Sequence, residues 1–261
     1  MGEIYDESDQ KTYREFHMNV NEAYYARPVI EGRAVKLELP SVTLICADCV
    51  HIEYAIPALE RCKAFANFGA VKLLTSMPTD YEHRVPIMPL NSLSAYSTFM
   101  LKQVYAHVDT THMLVAQHDG WIINPEAWDP AWLGCDYIGP LFIHEHKTAP
   151  TSVGSGGFSL RSKRLMQHVS GLLPAWDGSE VLTKKLMGAA GSYEDGYISI
   201  TKRAELERAG FVFGTVAQAS RFAQGGNNDP AQHVAKPFGF HGLWSNINHT
   251  AGEVAPPPFR G

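Results

Sequence analysis

Side chains able to do chemistry gather in a few short stretches of this 261-residue chain. Gln117-His118-Asp119-Gly120-Trp121 puts a carboxylate, Asp119, just after the apolar run Met113-Leu114-Val115. In open α/β sheets ligands bind beyond the carboxyl ends of strands, so a carboxylate there is placed to face one. The plainer reading is a turn, since Asp-Gly is a common turn pair and glycine permits a sharp bend. Val153-Gly154-Ser155-Gly156-Gly157-Phe158-Ser159-Leu160-Arg161-Ser162 lets backbone N–H groups approach a ligand closely, yet fits neither a P-loop nor the dinucleotide fingerprint. Tyr193-Glu194-Asp195-Gly196 sets two carboxylates ahead of a helix, where the dipole favours them whether or not they react. His241, between aromatic residues and glycines in Phe238-Gly239-Phe240-His241-Gly242, reads as a ligand or as a packed core histidine. Cys46-Ala47-Asp48-Cys49 has redox or half-zinc spacing, but with no second pair and a strand-end setting its thiols read as buried and free. His144 and His146 could ligate Zn2+ from one strand face, and with His118 and Asp119 they define a metal-dependent hydrolase as an alternative.

These residues need elements to hold them. Val42 to Ala47 is a continuous apolar run of the kind buried on both faces of a parallel sheet. Pro57 to Phe65 has helical spacing and Val71 to Thr75 returns as a strand, which makes a βαβ unit. Leu93 to His107 is spaced as an amphipathic helix, His112 to Ala116 as a strand, and Pro125 to Trp128 as a short helix with proline in its first turn. Ser162 is placed to cap a helix over Lys163 to Val169. A helix follows Asp195 to about Ala209, Phe211-Val212-Phe213 is a late strand, and Ala217 to Phe222 is a short strand or turn. Phe142 to Ser152 is polar, histidine-rich and loop-like.

Composition narrows the classes. A 45% hydrophobic content suits a globular domain with a real core, and a net charge of -5 argues against a nucleic-acid surface. No apolar run nears the roughly 20 residues needed to span a bilayer, so the expectation is a cytoplasmic protein that can work at a membrane surface.

In order, Gln117 to Trp128, Val153 to Ser162, Tyr193 to Ser199 and Phe238 to Gly242 resemble the DUF5672 family, and through it the GT-A glycosyltransferases, over about residues 40 to 243. The resemblance implies an α/β fold: a single GT-A-like (Rossmann-like) domain over 40–243, with a mostly parallel central sheet and helices on both faces. It leaves an N-terminal extension, 1–39, and an irregular tail, 244–261. The implied activity is inverting transfer of a sugar from a nucleotide-diphosphate donor, a UDP-sugar first, to a glycan or glycoconjugate hydroxyl, with Mn2+ or Mg2+ on the diphosphate. Such chemistry serves polysaccharide biosynthesis. A non-catalytic nucleotide-sugar or carbohydrate-binding module is the other alternative.

By the resemblance, Asp119 falls at the metal-binding DxD position and His241 at the late-histidine position, with His118 in the same donor-binding stretch. Asp195 becomes the general base, with Glu194 in reserve. Ala47 and Asp48 hold the nucleotide base and ribose, and Lys102 meets the diphosphate. Gly156 and Gly157 wall the sugar pocket, with Arg161 beside them. The chain departs from the DxD pattern in offering one carboxylate where two are usual.

Overall fold

The computed structural model describes residues 36–142, 152–172, 193–225 and 236–242. The apolar run after Leu37 forms the longest strand among the described residues, β1 (Leu37–Ala47), which is central in the main sheet. A helix, α1 (Ile52–Phe65), leads to β2 (Ala66–Thr75), which pairs parallel with β1; β3 (Arg84–Pro86) pairs parallel with β2. After α2 (Leu93–Lys102) and a 3-10 turn over Val104–His107, β4 (His112–Ala116) pairs parallel with the other side of β1. Beyond β5 (Tyr137–Ile138), β6 (Leu141–Phe142) and β7 (Ser152–Val153) comes β8 (Phe158–Ser162), antiparallel to both β4 and β5. The sheet order is β3-β2-β1-β4-β8-β5, a mostly parallel six-stranded sheet in a mixed α/β fold.

Both faces of this sheet are covered, as the sequence of β1 demands. Val42, Leu44 and Cys46 point to one core, with Ala55, Ala58, Leu59 and Cys62 of α1. Ile45 and Ala47 point to the other, with Phe99, Met100 and Leu101 of α2 and with Leu165, Met166 and Val169 of α3 (Lys163–Leu172). Alternation with period two sends neighbouring residues to opposite faces, so an unbroken apolar run requires helices on both. The apolar positions 55, 58, 59 and 62 form one stripe of a helix that starts at Ile52, five residues before the expected Pro57; the proline is accommodated inside it.

Ser162 caps α3 as its position implies: its Oγ accepts the Leu165 N–H at 3.1 Å and donates to Asp136 Oδ1 at 2.6 Å. Asp136 also receives the Val212 N–H and pairs with Arg164. Ser162→Ala removes a cap and leaves a buried carboxylate short of a donor, so unfolding in urea should show a loss of about 1–3 kcal/mol.

Three local expectations differ from the structure. The segment after Asp195 is broken into α4 (Glu194–Gly196), a π-helical turn (Tyr197–Thr201) and α5 (Arg203–Arg208). Ala217 to Phe222 belongs to a helix, α6 (Val216–Phe222), because Thr215 and Gln218 form a capping box: the Gln218 N–H donates to Thr215 Oγ1 and the Thr215 N–H to Gln218 Oε1. Phe213 makes only an isolated bridge to Tyr137. Two last strands, β9 (Ala223–Gly225) and β10 (Gly239–His241), pair parallel away from the main sheet. No helix among the described residues is long and apolar enough to cross a membrane.

Candidate active site

The order β3-β2-β1-β4 is that of half a doubly wound sheet. The helices after β1 and before β4 lie on opposite faces, and in open sheets of this kind ligands bind beyond the carboxyl ends of the strands where the order reverses, here β1 and β4. The strands deliver side chains to those ends. Ala47 closes β1 and is buried; Asp48 follows it, its Oδ1 accepting the N–H groups of Val50 and His51 at 2.8 and 2.7 Å. Beyond β4 come Gln117, His118 and Asp119. His118 Nδ1 lies 3.4 Å from Asp48 Oδ2, which ties the two strand ends together.

The antiparallel pairing of β8 brings the glycine-rich loop to the same end. Ala116 stands opposite Phe158, and the Gln117 N–H donates to the Gly157 carbonyl at 2.8 Å. β10 arrives through a bridge between Ile122 and Gly239, and the Gly242 N–H donates to the Asp119 carbonyl at 3.0 Å. His241 therefore sits over the loop. Its Nε2 lies 3.4 Å from Asp119 Oδ1 and 3.1 Å from Gln117 Oε1, and its Nδ1 lies 3.2 Å from Ser155 Oγ. α4 completes the ring: the Gly156 N–H donates to Asp195 Oδ2 at 2.8 Å, and Arg161 Nη2 donates to Glu194 Oε1 at 2.9 Å.

Glycine at two of these positions is a matter of space. A Cβ on Gly157 would stand 1.9 Å from His241 Nε2, so the imidazole lies directly on the Gly157 backbone. The expected turn is present, closed by the Gly120 N–H donating to the Gln117 carbonyl at 3.1 Å, with no positive φ at Gly120; a Cβ there would meet the Phe240 carbonyl oxygen at 2.8 Å.

Charge in the cluster is set by burial and close partners. Burial works against the ionised Asp48, but the hydrogen bond and charge of His118, with the two backbone N–H groups, hold its carboxyl below the ordinary value. Burial likewise opposes the charged form of His118, and Asp119 and Asp48 overcome it, so His118 is raised. His241 is raised in the same way, by the Asp119 carboxylate and then by Asp195, against desolvation. Asp195 moves furthest: burial and the neighbouring Glu194 carboxylate push it up to about 7, against the pull of Arg161 and the Gly196 and Gly156 N–H groups.

Accessibility sorts the residues by role. Asp48, Tyr96, Gln117, Ser155, Asp195 and His241 are half-buried and can meet a ligand. Arg161 has no exposed surface and Glu194 is 3% exposed; Asp119, His118 and Ala47 are buried as well, with 6–7% of their surface exposed. Glu194 is the ion-pair partner of Arg161, at 2.9 Å, where the sequence suggested a helix-terminal or reserve catalytic carboxylate. Lys102 is not brought to the cluster: its Nζ donates to the Ser170 carbonyl of α3 at 2.6 Å, about 9 Å of helix rise beyond Tyr96. All four cysteines are free. His144 and His146 lie outside the described residues.

Gln117, Tyr96 and Ser155 were not singled out by sequence. Gln117 Nε2 donates to the Tyr96 hydroxyl at 2.8 Å while its Oε1 faces His241, so it orients the ring. Gln117 and Ser155 lie inside stretches already notable for Asp119 and for the glycines; nothing local marks Tyr96, which arrives on α2.

Asp119 and His241 can be tested as cation ligands. Two donors each about 2.1 Å from one cation and at right angles stand about 3.0 Å apart. The observed 3.4 Å is close to that spacing. No group of three or more His, Cys, Asp or Glu side chains suited to a metal ion occurs among the described residues. The spacing alone is compatible with two ligands of one cation, and no third His, Cys, Asp or Glu ligand joins them among the described residues.

The fold and site thus define an α/β protein with a polar cluster of carboxylates and histidines at the switch point of its sheet. The chain belongs to the family described as protein of unknown function DUF5672, whose model matches residues 82–241. No curated protein matches the sequence. Among solved structures it is similar to the mannosyltransferase PcManGT from Pyrobaculum calidifontis, in complex with GDP-Man and Mn2+. The likeness has a TM-score of 0.40 and 11% identity, and it covers 80% of this chain and 66% of that one.

Proposed function

We propose that this protein is a glycosyltransferase that moves a sugar, with inversion, from a nucleotide-diphosphate donor to a hydroxyl of a glycan or glycoconjugate. The observation that carries the reading is Asp195, a half-buried carboxylate pushed up to about 7 and held at the same strand ends as Asp119 and His241. A general base works best when its proton affinity lies near the working pH. The acceptor oxygen forms a bond to the anomeric carbon as the bond from that carbon to the diphosphate oxygen breaks, and the acceptor proton passes to Asp195. Asp48 and Ala47, at the end of β1, lie where nucleosides bind in open sheets. Gln117 and Ser155 hold the ring of His241 toward Asp119. A divalent cation held by Asp119 and His241 would neutralise charge on the leaving diphosphate. A UDP-sugar is the first candidate donor.

Calorimetric titration with UDP- and GDP-sugars, with and without Mn2+, tests the reading; absence of binding throughout overturns it. Binding with neither transfer nor hydrolysis would make the protein a binding module. The Mn2+ affinity should rise with pH. His241 must give up a proton that Asp119 helps it keep, so each pH unit below its raised titration point costs about tenfold in affinity, and the dependence flattens above it. A flat profile across that range would remove His241 from the ligand set.

A further inference from the structure

The guanidinium of Arg161 is completely buried, and its hydrogen bonds go to Glu194 and Gly156, which adjoin Asp195, and to Ser159. Nη2 donates both to Glu194 Oε1 at 2.9 Å and to the Gly156 carbonyl at 3.1 Å, while Nε donates to Ser159 Oγ at 2.9 Å. Ser159 Oγ itself donates to the Gly156 carbonyl at 2.8 Å. The carbonyl of Gly156 is thus held twice, and across the Gly156 Cα the N–H of the preceding peptide donates to Asp195 Oδ2. The ring of Tyr137 lies 5.1 Å from the guanidinium carbon. Nη1 is buried with no hydrogen-bond partner among the described residues. A buried ion pair with an orphaned donor is a poor device for stability, because an apolar pair of similar volume does as well or better. Its geometry has another use.

We propose that Arg161 and Glu194 are a positioning pair that fixes the Gly156 loop against Asp195, and that Glu194 is not itself a base. This rests on the reading of Asp195 as the general base. The pair acts through two links. Arg161 anchors the Gly156 carbonyl, one Cα away from the Gly156 N–H that meets one carboxylate oxygen, while the Gly196 N–H holds the other at 2.7 Å, leaving the carboxylate a single orientation. Glu194 brings a negative charge beside Asp195 and makes its proton harder to lose, and Arg161 limits that effect. Among the described residues, the charged and titratable groups facing Asp195 are Glu194 on its own helix, Arg161 on β8, Tyr137 on β5 and His241 on β10.

The test is an NMR titration of the Asp195 side-chain carboxyl carbon in the ligand-free protein, repeated in Glu194→Gln and Arg161→Lys. Glu194→Gln keeps an oxygen for Arg161 but removes the charge, so the Asp195 midpoint should fall by about one pH unit or more, and the acid limb of any turnover should move with it. Arg161→Lys keeps the charge but loses the fork that reaches Ser159, Gly156 and Glu194 together; kcat should fall about tenfold or more with the donor KM unchanged. If the Asp195 midpoint stays in place in Glu194→Gln while turnover is abolished, Glu194 is the reacting base and the proposal is wrong. An unmoved midpoint with unchanged turnover in both variants also overturns it. The titration needs no substrate, so a failure of every nucleotide sugar to bind would sink the functional reading and leave the pair still decided by NMR.

Discussion

Asp195→Asn should lower transfer, or donor hydrolysis, by about a hundredfold to ten-thousandfold, the usual contribution of a positioned general base, while donor binding stays within a few-fold of the parent. The substitution keeps the shape of the side chain and its acceptor oxygen, so one of the two backbone N–H groups, of Gly156 or Gly196, can still be satisfied. What is lost is the capacity to take a proton. The parent's pH profile supplies the matching signature. With the carboxyl raised to about 7, Asp195 is protonated and inactive in more acidic solution and competent above that pH. Turnover should therefore fall about tenfold per pH unit below the midpoint and level off above it. An acid limb near the ordinary carboxylate range, or an Asp195→Asn variant that turns over normally, would remove Asp195 from the reaction.

Gly157→Ala should disrupt the other half of the site. The added Cβ would lie 1.9 Å from His241 Nε2, 2.3 Å from Cδ2 and 2.5 Å from Cε1, so the imidazole must leave its place over the loop. Moving it breaks the approach to Asp119 and the contacts to Gln117 and Ser155 together. Overpacking of this kind costs about 1–3 kcal/mol, and displacing a ligand from its supports costs about 10- to 100-fold in metal affinity. Gly171→Ala is the control with the opposite sign. A Cβ there meets nothing within 4 Å, and replacing a helical glycine by alanine gains about 0.5–1 kcal/mol. Thermal melts and Mn2+ titrations of both variants check this; equal Mn2+ binding by Gly157→Ala and the parent would show that His241 does not hold the ion.

Local patterns were legible where a local force decides the outcome. β4 runs over the expected His112–Ala116, because five consecutive residues buried on both faces leave few alternatives to a central strand. Ser162 caps α3 because a hydroxyl one residue before the helix can reach the orphaned N–H groups wherever the helix later packs. The same kind of signal lay in Thr215 and Gln218 and marks α6, although Ala217 to Phe222 read as a short strand or turn. Asp119 was placed at a strand exit by sequence alone, and β4 does end three residues before it.

The grouping of the site was another matter. His241 meets Gln117 across 124 positions, Asp195 meets Gly156 across 39, and Arg161 meets Glu194 across 33. Nothing in the flanking residues of Glu194 and Asp195 separates the buried, ion-paired carboxylate from the partly buried one. That difference arises only when β8 carries Arg161 beneath α4. Nor does the amphipathic pattern of α2 reveal that Tyr96 reaches the site while Lys102 is engaged by the Ser170 carbonyl of α3. The sequence by itself determined the strand exits, the caps and the presence of two carboxylates. The tertiary structure alone decided which carboxylate is accessible and which histidine faces it. Burial and pairing are properties of surfaces that meet only after the sheet has brought distant segments to one end.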